Sequence, residues 1–388
     1  MPQSLIYLDN STAGKPSEMA VSRMISFLTD HWGIPSAPHQ KGQELFPAIE
    51  ESYKKIYALV GAKDSDQFVL TSSGAEAINQ VFHTAYREIT LPTGKNQFLT
   101  SIIDEAPSLM ASERLEPLGC ISKLVPVNDQ GIITPEILTS MLSPRTALLS
   151  LTWANGLTGV IQPLKEIAAI CRLRGVKLHL DATHLLGKLD FTFEESGADF
   201  LTFNGDQLHA PRGIGGLFIR QGVKASSLIA GGLEQAGLRA GPLNVAHLVA
   251  LGQASSEAVE QRDYLCTEIA RLRDKLEKGV KQQIPTLLFP FEKSERLPNI
   301  SLMVFPGVHQ EALLFLLNRK RVCASMGGGS FQQLSLILEA CKASADFTHS
   351  ALSFSLSRYT QESEIDRAIA LIVESVQTLT ALSREFFS

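Results

Sequence analysis

From about residue 66 to residue 220, short apolar runs alternate with helix-length amphipathic stretches. The runs at 67–71, 98–103, 147–153, 176–180, 199–203 and 216–220 are continuous and rich in leucine or β-branched residues, as strands covered on both faces are. Ser73-Gly74 predicts the start of a helix over 75–87, and Thr134-Pro135 opens another with proline at its first position. This alternation predicts a mostly parallel sheet with helices on both faces. After Asn244 the pattern changes. Leu265, Ile269, Leu272 and Leu276 form the apolar stripe of a long helix, and Asp274 and Lys278 stand at i, i+4 as an ion pair. Runs at 300–304 and 352–356 read as further strands, and 362–379 as a helix. The expected fold class is α/β, with a large domain over 16–250 and a small α+β domain formed by 251–388 together with 1–15. The long helix is expected to join the two domains, since no low-complexity linker stands between them.

Composition narrows the function classes. Charged residues make up 19% of the 388 and the formal net charge is −5. The longest basic run, Arg319-Lys320-Arg321, is too short for a nucleic-acid patch. No apolar stretch approaches a membrane span, and the first ten residues lack the basic flank and apolar core of a signal peptide. Cys120, Cys171, Cys266, Cys323 and Cys341 show no CxxC pairing, which suggests reduced thiols in a cytoplasm and no metal site.

In a doubly wound sheet, ligands bind where strand ends lead into helix N-termini. Four segments have that placement. They are Thr71-Ser72-Ser73-Gly74-Ala75-Glu76, the stretch from Trp153 through Asn155 to Gly159, His179-Leu180-Asp181-Ala182-Thr183-His184, and Asn204-Gly205-Asp206-Gln207-Leu208-His209. Singly, each admits a plainer reading. Ser73 is an ordinary helix cap, Asp181 a cap or a functional carboxylate, and His184 a structural histidine. Gly327-Gly328-Gly329-Ser330 alone is a flexible loop.

In order and spacing these segments resemble the class V aminotransferase family, in particular its cysteine desulfurase (NifS/IscS-like) branch. The likeness begins at Tyr7-Leu8-Asp9-Asn10-Ser11 and runs through Ser73-Gly74-Ala75, Thr158-Gly159-Val160 and His179-Leu180-Asp181-Ala182. It continues in Pro211-Arg212-Gly213, the loop Gly231-Gly232-Leu233-Glu234-Gln235 with Arg239-Ala240-Gly241, and Ser357-Arg358-Tyr359-Thr360. The resemblance implies the pyridoxal-phosphate-dependent transferase fold of type I. It implies pyridoxal phosphate as cofactor, with an aspartate at Asp181 on the pyridine nitrogen and an asparagine at Asn155 on the ring hydroxyl.

The departures are as informative. Where the family carries the lysine that forms the Schiff base, this chain has Gln207, and an amide forms no imine. Lys188 stands where relatives also have a lysine, so it is no substitute. The phosphate-binding positions read Glu76, Asn204 and Asp206 in place of threonine, serine and histidine, and Pro242 replaces a threonine of the neighbouring subunit. Two carboxylates about 5 Å from a dianion would cost about 10 kcal/mol at an effective dielectric of ~20. A helix N-terminus returns only about 1–2 kcal/mol. The histidine that stacks on the ring is missing from Asp104-Glu105-Ala106. The sulfur-accepting cysteine is missing near Gly327–Gly329, with Cys323 several residues early. The substrate-carboxylate arginine falls at Ser353, with Arg358 five residues on as a substitute or a structural residue.

These departures imply a homodimeric, cysteine desulfurase-like chain without Schiff-base catalysis. Its cofactor would be absent or held weakly and non-covalently, and it would act by binding a ligand, an active desulfurase or an iron–sulfur assembly partner. The alternative is an enzyme of altered mechanism, a transferase or lyase on an amino acid with non-covalent cofactor and His184 or His209 as base. A third reading makes Glu76 and Asp206 a site for a cationic ligand or a metal.

Overall fold

The computed structural model describes residues 4–329 and 332–387. Its strands are β1 (Ile6–Tyr7), β2 (Gln67–Thr71), β3 (Gln97–Ser101), β4 (Ile121–Val125), β5 (Thr146–Thr152), β6 (Lys177–Asp181), β7 (Phe200–Asn204), β8 (Gly215–Ile219), β9 (Ile300–Val304), β10 (Val322–Cys323) and β11 (Ala351–Ser355). Seven form one sheet in the order β2-β8-β7-β6-β5-β3-β4. Pairings from β7 through β4 are parallel, and β8 runs antiparallel to both β7 and β2. The central strands are buried on both faces, as their unbroken apolar runs require. Edge strand β4 is half exposed and carries Lys123, so it leaves no apolar run in the sequence.

Local chemistry sets the helix starts. Ser73 caps helix Gly74–Ala85 by accepting from the Glu76 N–H at 3.2 Å, and Thr134 caps helix Pro135–Met141 through the Ile137 N–H. Helix Val245–Glu260 packs on helices Glu18–Thr29 and Phe46–Val60. A second apolar cluster joins Ile6 and Leu8 to Leu265, Ile269, Leu272 and Leu276, to β9 and β11, and to helix Glu362–Phe387. The expected Asp274–Lys278 pair does not form. The neighbouring Arg273 folds back on Asp274 at 2.6 Å while also donating to the Leu297 carbonyl, and so takes the carboxylate first. Among the described residues no helix is long and apolar enough to cross a membrane.

Two features bring the strand ends together. Gly215 opens β8 against the Ser73–Gly74 turn. A Cβ there would collide with the Ser73 carbonyl carbon and lie 2.6 Å from the Gly74 nitrogen. Asp104, fully buried, stitches β3 to β5: its carboxylate accepts from the Ser101 N–H at 2.7 Å and from the Thr152 N–H at 2.8 Å. Burial pushes this carboxyl up to about 7, against those hydrogen bonds.

Gly215→Ala is expected to destabilise the chain by about 1–3 kcal/mol in urea unfolding, because the colliding atoms are backbone and cannot rotate away. Asp104 makes a pH-dependent contribution. From about pH 4 to about pH 7 the folded chain holds a proton that the unfolded chain has released, so stability falls as pH rises. Relative to Asp104→Asn, the natural chain is expected to lose about 2–3 kcal/mol between about pH 5 and about pH 8. A difference that stays constant across that range would show a carboxyl ionised throughout.

Candidate functional site

The first side of the candidate site is the turn after β2. The Glu76 carboxylate accepts from the Ser72 N–H at 2.7 Å and from Arg239 Nε at 2.9 Å. Burial pushes Glu76 up, but these donors outweigh it and hold the carboxyl below its ordinary range. Glu76 is therefore not a bare charge. Arg239 supplies its counter-ion, so Glu76 repels a dianion less than a free carboxylate at 5 Å would. The Gly74 N–H points across the site to Asn204 Oδ1 at 3.3 Å, and Ala75 is exposed on the first turn of the helix.

The second side is formed by the ends of β5, β6 and β7. Asn155 Oδ1 accepts from the Leu157 and Thr158 N–H groups at 3.0 and 2.9 Å, and Asn155 Nδ2 donates to the Ile103 carbonyl. Asp181 Oδ1 accepts from the Thr183 N–H at 3.0 Å and from its hydroxyl at 2.6 Å. Burial, and then the Glu105 charge, push Asp181 above the usual carboxylate range. His184 Nε2 lies 2.8 Å from Glu105 Oε1, and both side chains are largely buried. Asn204 donates to Asp206 at 2.7 Å. Burial raises the Asp206 carboxyl, opposed by His184, Arg212 and Lys188.

Gln207 sits in the short helical turn Gly205–Leu208 after β7. Its amide nitrogen donates to the carbonyls of Ser11 at 2.7 Å and Asn10 at 3.1 Å, and the side chain is buried. Beside it lies a cavity of about 30 Å³ lined by Lys188, Asn10, Asn299 and Arg358 among others. That volume suits about one or two water-sized groups. The Lys188 ammonium donates to the His184 carbonyl at 2.9 Å, and burial brings it down to about 8.

The remaining candidates lie apart from this cluster or serve as structure. Arg358 donates to Glu257 at 2.7 Å, and the same carboxylate accepts from Ser17 and caps the packing of the first helix. Arg358 is thus held in a largely buried ion pair, as a structural residue would be. Ser353, in β11, donates to the Leu157 carbonyl. Cys323 is on β10, and burial with the nearby Asp9 charge pushes its thiol up, away from the reactive thiolate. Burial lowers His209 to about 4, and its Nδ1 lies 2.7 Å from the Lys15 carbonyl. Of the glycine-rich loop, Gly327–Gly329 are described and Ser330 lies outside the described residues. Gln332 reaches back over the site and donates to the carbonyls of Ile102 and Asp104. Among the described residues no group of three or more His, Cys, Asp or Glu is arranged to hold a metal ion.

Three contributors escaped the sequence reading: Glu105, Arg239 and Thr183. The signal for Glu105 was a carboxylate in the segment where the resemblance led to the expectation of a ring-stacking histidine, with His184 three residues after Asp181. Arg239 lay in a recognised loop, but its partner is 163 positions away. Among the described residues, Glu76, Asn155, Asp181, His184, Asp206 and Gln207 each have a protein partner within the site.

Comparison with known proteins agrees with this architecture. The family model described as "Aminotransferase class-V" matches residues 6–368. A cysteine desulfurase of Trichormus azollae is 34% identical over 384 residues, covering 98% of this chain and 95% of the relative. The cysteine desulfurase NifS of Azotobacter vinelandii is 31% identical over 382 residues, covering 97% and 94%. A solved NifS-like protein superposes with a TM-score of 0.89 at 27% identity, covering 97% of this chain and all of the other. The fold is accordingly that of pyridoxal-phosphate-dependent transferases of type I. With nearly its whole length matched, the chain belongs to the class V aminotransferase family.

Proposed function

We propose that this chain is a cysteine desulfurase homologue that has given up Schiff-base chemistry. It acts in the cytoplasm by binding a ligand or a partner protein of sulfur or iron–sulfur metabolism. The observation that carries this reading is the Gln207 amide, spent on the Asn10 and Ser11 carbonyls at the position where the family places its lysine. The neighbouring groups do not fit pyridoxal phosphate either. The phosphate-cup position is closed by the Glu76–Arg239 pair, and Glu105 brings a carboxylate where the family stacks an imidazole on the ring. Lys188, whose amine shares the small cavity with Gln207, is committed to the His184 carbonyl.

The same reading includes a homodimer. Helix Glu18–Thr29 and the segment after it expose Met19, Ile25, Leu28 and Trp32, the last at 66%, and Leu233 in the glycine-rich loop is 90% exposed. That much exposed large apolar surface supports an interface with a second copy.

Purified chain incubated with pyridoxal phosphate and then desalted is expected to retain no cofactor absorbance. A retained chromophore that borohydride fixes to a lysine would overturn the proposal. For the dimer, sedimentation at micromolar concentration is expected to give two chains per particle and Trp32→Asp a single chain. A natural chain that sediments as a monomer would remove the pairing.

A further inference from the structure

On the far side of the N-terminal segment that Gln207 grips, a cavity of about 420 Å³ opens between helix Gln310–Arg319 and the paired strands β1 and β10. Its walls are apolar and soft, with Leu314, Phe315, Val322 and Met326 among them, and the Phe315 ring is 60% exposed. Its charge is one-sided. Asp9 and Glu311 line it, and among the described residues no lysine, arginine or histidine does. Asp9 is the unusual member. One of its carboxylate oxygens, Oδ1, is sealed from solvent and has no hydrogen-bond partner among the described residues. Burial raises the Asp9 carboxyl, and the Thr12 and Ser325 side chains offset this only in part.

A half-buried carboxylate in a partly apolar setting gains from a positive group, and with Oδ1 sealed a group in the cavity would meet Asp9 through its other oxygen. Its effect is felt by its neighbours. Asp9 contributes to raising both the Tyr7 phenol and the Cys323 thiol, which share the cavity, in each case after burial. Arg212 acts on Tyr7 in the opposite sense but does not line the cavity, and Arg319 lies over the Phe315 ring on the rim. The volume lies within the range of small-molecule sites. A ligand that matches these walls has a cationic head for Asp9 and a short apolar tail for Leu314, Phe315 and Met326. Aromatic rings near such a head add cation–π attraction. Inside the cavity a ligand carboxylate would meet only the like charges of Asp9 and Glu311, with Arg319 confined to the rim, which favours a simple amine over an amino acid.

We propose that this cavity is a binding site for a small primary amine with a short apolar chain, its ammonium group held by Asp9 and its tail by the face of helix Gln310–Arg319. The site is independent of the reading of Gln207.

The test uses the full chain with n-hexylamine as probe and hexanoate and hexanol as controls, followed by saturation-transfer NMR and calorimetric titration. Hexylamine is expected to bind and hexanoate not to, with hexanol weaker by about tenfold or more, the size expected for loss of one charge-assisted hydrogen bond. Asp9→Asn is expected to weaken hexylamine by a similar factor. Phe315→Ala alters an exposed helix position, so it should fold normally and also weaken binding. Equal binding of all three probes would reduce the cavity to an unspecific apolar groove and overturn the proposal. So would the absence of binding at millimolar hexylamine, or binding that survives in both Asp9→Asn and Phe315→Ala.

Discussion

One neutral amide ties the carboxyl edge of the seven-stranded sheet to the N-terminal segment. Gln207, at the end of β7, donates both of its N–H bonds to consecutive carbonyls, those of Asn10 and Ser11. The segment it grips is itself tied to β11, since Asn10 donates to the Ser355 carbonyl and the Ser11 N–H to the Ser355 hydroxyl. The path therefore runs from the seven-stranded sheet, through Gln207, to the apolar cluster that holds Ile6 and Leu8. Two buried neutral bonds contribute about 1–3 kcal/mol in all. An ammonium group at that depth would carry a desolvation cost, and it has one carbonyl-rich wall to face. An amide meets the same acceptors' geometry without charge, and so suits the joint.

The other exchanges follow the same logic of local neutralisation. Glu76 would oppose a dianion, but Arg239 and the Ser72 N–H hold it ionised without one. Glu105 raises the neighbouring Asp181, and His184 stands against it at 2.8 Å. Asp206 is held by Asn204, its neighbour in the same altered turn. Acids placed in a cofactor site without partners would cost several kcal/mol each. Here each has acquired a protein donor, and a set of substitutions that looks disruptive in isolation becomes a closed polar network.

Much of the scaffold was legible in the sequence because its signals are local. Strands β2 and β9 end where their apolar runs end, and β6 and β7 run one residue past the last apolar position because the ladder includes Asp181 and Asn204. Edge strand β4 carries no such run, and β1 and β10 are only two residues long. The partners of the site residues were not legible. Glu76 and Arg239, Glu105 and His184, and Gln207 and Ser11 are each brought together by the fold from distant sequence positions, and no spacing rule reaches that far. Asp274 shows that even a local rule fails when a nearer arginine competes.

The residues that match the family and those that depart from it differ in what they do for the backbone. Asn155 and Asp181 sit at family positions, and each closes its own turn. Asn155 accepts from Leu157 and Thr158, and Asp181 accepts from Thr183. Ser73 likewise caps its helix. Strand ends and helix starts leave N–H groups that something must satisfy, whatever the site holds. The presence of these residues therefore reports the fold and is silent about cofactor binding. Information about activity lies at positions whose side chains have no such backbone task in a cofactor enzyme, namely those of Glu76, Glu105 and Gln207. At all three positions the side chain's polar atoms are engaged by the chain's own atoms. The side chains that hold the fold are thus distinct from those on which the proposed loss of chemistry turns.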